Sequence, residues 1–119
     1  MATLEKRTSE NKWYSIDCTN SLDTAETISS ITSIAADQTG LIFSGQKVNT
    51  SQCVFSDGTI ANIGKVIQVQ ISGGTITIGQ FLKDRRPGVQ YTIRANYVTS
   101  KGSSAEATVL LNLTDTPLS

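Results

Sequence analysis

The chain contains no histidine among its 119 residues. That removes the commonest general base and the commonest neutral metal ligand, so no Ser-His-Asp arrangement can be assembled. Its two cysteines, Cys18 and Cys53, are too few for a Cys-based zinc site. Three readings of them stay open: two small buried apolar residues, a disulfide joining two strands, or a reactive thiol, for which no activating base is in view. Asp17, Asp23, Glu26, Asp37, Asp57 and Asp84 are scattered singly through turn-forming stretches. Asp is favoured there for local hydrogen bonds to backbone. Neither a carboxylate pair for glycoside hydrolysis nor an Asp-x-Asp run for calcium is apparent. Ser72-Gly73-Gly74 is too short, and wrongly flanked, for a phosphate loop. Asn49-Thr50-Ser51 and Asn112-Leu113-Thr114 match the glycosylation sequon, which matters only on a eukaryotic secretory route. The expectation is a non-enzymatic chain with no cofactor and no metal.

The totals narrow the partners. Ten basic and ten acidic residues cancel, with no basic stripe, so nucleic acid is not an expected partner. No apolar run approaches the length of a membrane span. The first seven residues carry charge without an apolar run behind them, unlike a secretory signal. Synthesis in a reducing cytosol is expected, which disfavours the disulfide.

Turning to the elements that would position any site, residues 89–113 are the best patterned. Val89, Tyr91, Ile93, Ala95 and Tyr97 alternate with Gln90, Thr92, Arg94 and Asn96, the period of a strand. Ser100-Lys101-Gly102-Ser103-Ser104 supplies a turn. Ala105, Ala107, Val109, Leu111 and Leu113 then resume the alternation, with Leu110 a single apolar breach of the other face. A hairpin of this kind needs a facing apolar layer. Earlier strands are expected at 12–18, with Tyr14, Ile16 and Cys18 on one face, and at 27–35. In the latter, Ile28, Ile31 and Ile34 recur every third residue. Ser, Thr and Ile are poor helix formers, so a strand with a bulge near Ser30 is expected. Further strands are read at 41–43, 48–55 and 65–71, with a short extension at 75–78. Leu22 is expected to plug the core, and Ile60 and Ile63 to contact it from beside the Asp57-Gly58 turn.

Seven or eight short strands without helices predict an all-β fold. The architecture is an immunoglobulin-like two-sheet antiparallel β-sandwich over 12–113, preceded by a flexible arm at 1–11 and followed by a tail at 114–119. Deleting such an arm should leave the thermal transition nearly unchanged. Trp13 falls on the outer face of the first strand, where it either marks an interface or packs under a loop. Residues 79–88 place the apolar Phe81 beside the charged Lys83, Asp84, Arg85 and Arg86. These six are the candidate protein-interface residues. Read as a carbohydrate or receptor module, the chain could offer only Trp13 and Phe81 as an aromatic platform.

Several stretches together resemble the small immunoglobulin-like virion proteins of tailed bacteriophages. They are the opening Tyr14-Ser15-Ile16-Asp17, then Leu22 and Glu26-Thr27-Ile28-Ser29-Ser30. They continue with Ser72-Gly73-Gly74-Thr75, the Tyr91-Thr92-Ile93 strand and Thr99-Ser100-Lys101-Gly102. The usual aromatic after the second strand is missing, and 75–86 is longer than a simple turn. The resemblance implies a structural protein of the virion, assembled in the bacterial host cytoplasm. Its partners would be other virion proteins of the tail, connector, fibre or capsid, and it would be present in many symmetric copies. An adaptor between the tail or head–tail region and the fibres is the preferred role, with capsid decoration the alternative. No catalytic residues are implied.

Overall fold

The computed structural model describes residues 3–55, 57–74 and 88–114. Two strands dominate it, β8 (Gly88–Thr99) and β9 (Ser104–Thr114). They pair antiparallel with Val89 opposite Leu113, Tyr91 opposite Leu111, Ile93 opposite Val109, Ala95 opposite Ala107 and Tyr97 opposite Ala105. The alternation therefore places every expected inward residue beside another one. Directly opposed side chains are the unit of sheet stabilisation. The turn closes by a Thr99 N–H bond to Ser103 O (2.8 Å) and a Gly102 N–H bond to Thr99 O (2.9 Å), with Gly102 at φ 81°.

β3 (Ile28–Ala36) lies on the far side of β8. Ile28, Ile31, Ile34 and Ala36 stand opposite Thr99, Tyr97, Ala95 and Ile93. The ladder slips between Ile28 and Ser30 and again between Ile31 and Ser33. Each slip adds one residue to a period of two, so isoleucines spaced by three all face the core. The expected bulge near Ser30 is present, and a second one follows it.

The facing sheet is β2 (Lys12–Asp17), β7 (Val66–Gly73) and β4 (Leu41–Val48), with β7 in the middle. Tyr14 and Ile16 of β2 join Ile67, Val69 and Ile71 of β7 and the inward residues of β8 and β9 in one core. Leu22 packs against it as expected. Two sheets of this order, β2-β7-β4 facing β9-β8-β3, make an all-β immunoglobulin-like sandwich. Gly73 ends β7 at φ 75°. A Cβ there would sit 2.6 Å from the Gly40 carbonyl oxygen, so the close approach of the 40–41 segment requires glycine.

Three expectations change. Residues 41–48 form one strand, not a short strand ending at Phe43, with a register shift where Ser44 pairs with Gln70 and Lys47 with Gln68, three residues of β4 against two of β7. Residues 49–52 are loop. Cys53–Val54 (β5) instead pairs with Ile60–Ala61 (β6) in a small hairpin. Ile60 and Ile63 are exposed, not core contacts. Ala61, on the hairpin, and Val66, at the start of β7, are nevertheless buried.

The largest correction concerns the arm. Thr3–Arg7 is strand β1, paired in parallel with β9 from Thr3 opposite Leu110 to Arg7 opposite Thr114. The sandwich thus includes residues 3–7, ahead of the expected start at 12. Leu4 packs on the core, and Lys6 is only 2% exposed. The Lys6 ammonium donates to Gly73 O at 2.7 Å and to Arg7 O at 2.8 Å, tying β1 to the end of β7. The Tyr14 hydroxyl donates to Glu5 O at 2.8 Å and ties β1 to β2. Backbone pairing and these polar ties leave no apolar periodicity, which is why the segment reads as an arm. The expected tail lies outside the described residues beyond Thr114, as does the extension at 75–78. Removing residues 1–11 should lower stability by about 1–3 kcal/mol, through lost ladder bonds and an uncovered core edge. Urea denaturation of the truncated chain against the full one measures this, and an unchanged midpoint would contradict it.

Candidate interaction surface

Several of the described titratable groups are engaged within the fold. Cys18 and Cys53 are both free. Cys18 is buried, and burial pushes its thiol up to about 11, against the activation a nucleophile needs. Cys53 is half-buried, and its sulfur accepts from Gln68 Nε2 at 3.6 Å. Burial also carries Tyr14 up to about 12, with Glu10 and Glu5 adding to the shift. Several acids cap backbone N–H groups, two of them close by in sequence and one across to β8. Asp17 accepts from the Thr19 N–H, Asp57 from the Thr59 N–H and Asp37 from the Thr92 N–H. Among the described residues, no group of three or more His, Cys, Asp or Glu side chains could hold a metal.

One end of the sandwich is locked by polar side chains that the sequence reading passed over. Lys65, buried, donates to Asp23 O (2.7 Å) and Thr24 O (3.0 Å). Glu26 accepts from the Thr99 hydroxyl at 2.6 Å and from the Asp23 N–H at 3.1 Å, and these hold its carboxyl below the ordinary range. Asn49, read as a sequon, has its amide fully committed. Its Nδ2 donates to Ser51 O and Asn62 O, and its Oδ1 accepts from the Gly64 and Val66 N–H groups. Buried polar groups of this kind must be satisfied, but nothing in a local pattern announces which ones will be.

Trp13 is the one expected interface residue among those described. Phe81, Lys83, Asp84, Arg85 and Arg86 lie outside the described residues. Trp13 stands on the outer face of β2, 52% exposed. Its indole reaches towards β4. There Gly45, at φ +64°, leaves room for it: a Cβ would lie 2.9 Å from Trp13 Cη2. The Lys47 ammonium sits 5.2 Å from the ring centroid, a cation–π arrangement. With Tyr14, Ser15 and Gln68, these two side chains line an open recess of about 210 Å³.

Four further large hydrophobics are exposed among the described residues. Ile42 is exposed on β4, between the inward Leu41 and Phe43. Val54 and Ile60, opposite each other on the small hairpin, are exposed, as is Ile63 in the turn that follows. These four and Trp13 are the large exposed hydrophobics among the described residues. None belongs to β1, β9, β8 or β3, whose outer face carries Gln90, Arg94, Glu106 and similar residues.

β2 also ends its sheet. The Cys18 N–H bonds to Lys65 O at 2.9 Å, and every second residue back along β2 shares that orientation. The alternation of an antiparallel ladder then turns the N–H and C=O groups of Trp13, Ser15 and Asp17 to the outer side. Among the described residues, no strand pairs there. β3 and β4 are also end strands, but both carry register irregularities. β1 carries a Glu-Lys-Arg run. Bulges and charges blunt strand edges, whereas β2 is regular along its length.

Two measurements check these geometries. Gly45→Ala should cost about 1–2 kcal/mol through the left-handed φ and displace the indole. The chain has a single tryptophan, so its emission reports that displacement directly. Glu26 contributes stability at neutral pH that is lost as pH falls through its lowered folded-state pKa. Thr99→Val should raise the Glu26 titration midpoint towards the ordinary value, read by carboxyl NMR, and start acid unfolding at higher pH.

No protein-family model matches the chain, and no curated protein matches it. Among solved structures it is similar to a Vibrionaceae Photobacterium 2,6-sialyltransferase, determined in a ternary complex with CMP and lactose. The identity is 16% and the TM-score 0.35, over 95% of this chain but 17% of that one.

Proposed function

We propose that the chain is a non-enzymatic virion structural protein of a tailed bacteriophage that binds other virion proteins. Its preferred role is an adaptor between the tail or head–tail region and the fibres. The observation that carries the binding reading is the regular, open edge of β2 beside the exposed Trp13. An edge of this kind accepts an extended segment of a neighbour through backbone bonds, and flanking side chains add selectivity. Trp13 is the type of residue that dominates interface energies when a partner covers it. The virion setting rests on the resemblance carried by residues 14–17, 72–75 and 91–102. Decoration of a capsid surface would use the same edge.

A glycan-binding reading has one observation in its favour: the recess beside the Trp13 ring is lined by the polar groups of Ser15, Lys47 and Gln68. Sugar rings stack on indole faces, but here Lys47 already lies over the ring. Mass spectrometry of purified particles should find the chain in stoichiometric amounts. Trp13→Ala and Ser15→Pro should reduce its incorporation at least several-fold. The Ser15 N–H faces away from β7, so the proline removes an outward donor without breaking the ladder. Absence from particles would overturn the virion reading. Glycan-array binding lost in Trp13→Ala would support the alternative.

A further inference from the structure

We propose that β1 is an exchangeable strand, which leaves its own β9 and pairs with the β9 of a second copy of the chain. β1 has a single strand neighbour, at the end of its sheet. Its apolar anchor is Leu4 alone, and Thr3, Glu5 and Arg7 are exposed. Lys6 closes it, yet that closure buries an ammonium against two neutral carbonyls. Glu10, on the connecting turn, pairs with Lys12 at 3.8 Å and acts on the Lys6 charge only from a longer distance. Opening therefore returns a desolvated charge to water, which offsets part of the lost pairing. The Thr8 N–H extends the β1–β9 pairing to Thr114 O (3.0 Å) and Ser9 is engaged as well, while the turn itself closes through a Glu10 N–H bond to Arg7 O (3.0 Å) and an exposed Arg7 N–H bond to Glu10 Oε1 (2.7 Å). Water can replace both turn bonds.

The vacated position is costly to leave empty. It is an open strand edge directly beside Leu111 and Leu113, both fully buried. The group that fits it is another β1. In trans the register Thr3–Leu110 to Arg7–Thr114 is unchanged, Lys6 reaches the same Gly73 carbonyl and Glu5 O accepts from the same Tyr14 hydroxyl. Only the conformation of the turn differs, so the two forms are related by mass action and short connecting turns favour exchange. The chain's zero net charge opposes neither form. The exchange needs no virion partner, and its outcome is separate from that of the particle measurements.

Glu5 and Asn112 are register neighbours across β1 and β9, at a separation a disulfide can bridge. In a Cys53→Ser background, Glu5→Cys and Asn112→Cys chains are mixed at high concentration and oxidised mildly. Exchange gives a Glu5→Cys/Asn112→Cys cross-linked pair several-fold in excess of either homodimer. Cross-linking at the level of random collision, or monomer alone, overturns the proposal. Deleting Ser9 and Glu10 places cis closure out of reach, and sedimentation should then show a folded dimer or ring. A shortened chain that remains monomeric overturns it equally.

Discussion

The in-register pairing of β8 with β9 is the constraint to which the rest of the molecule adapts. Five inward positions on one strand face five on the other, so a slip of one residue would turn every one of them to solvent. Each neighbour accommodates that ladder differently. β3 takes on two extra residues to keep its isoleucines in phase with Tyr97, Ala95 and Ile93. β1 aligns in parallel along the free side of β9, with only one apolar residue committed to the core. The second sheet brings Tyr14, Ile16, Ile67, Val69 and Ile71 down on the same surface. Full burial of side chains of this size contributes roughly 1.5–3 kcal/mol each.

Polar side chains do the work of joining the layers at their ends. Lys6 links β1 to β7, Asn49 links the end of β4 to the start of β7, and Lys65 holds the loop before β3. Each has its charge or amide spent on backbone groups, so none is free for chemistry. The same holds for most of the acids. Where charged side chains do share a recess, it is the one of about 270 Å³ lined by Glu5, Lys6, Arg7, Glu10, Lys12 and Thr114 at the end of β1.

Exposed apolar side chains are unevenly distributed over the sandwich. Among the described residues, Trp13 and Ile42 stand on the outer face of β2-β7-β4 and Val54 and Ile60 on the small hairpin, while the outer face of β9-β8-β3 is mostly polar, with Leu110 an exception. The placement of β1 contributes to this asymmetry. By pairing with β9 it completes one sheet and leaves β2 as the unblunted edge of the other. The end position of β2 and that of the strand proposed for exchange are thus two consequences of a single topological choice.

By itself, the sequence determined the all-β class, the hairpin and its inward residues, the bulge near Ser30, and Trp13 as an outward aromatic. All of these follow from local periodicity, because strand pleating converts spacing directly into sides. Tertiary structure decided where residues 3–7 would lie, since Thr-Leu-Glu-Lys-Arg has no apolar period and is held by backbone bonds to a strand more than a hundred positions away. It also decided that 53–61 would be a separate hairpin with Ile60 outside, because that depends on which surface is left over once β4 and β7 have paired. The buried roles of Lys6, Asn49 and Lys65 belong to the same class. A polar residue goes inside only where distant carbonyls or amides converge on it, and convergence is a property of the folded chain.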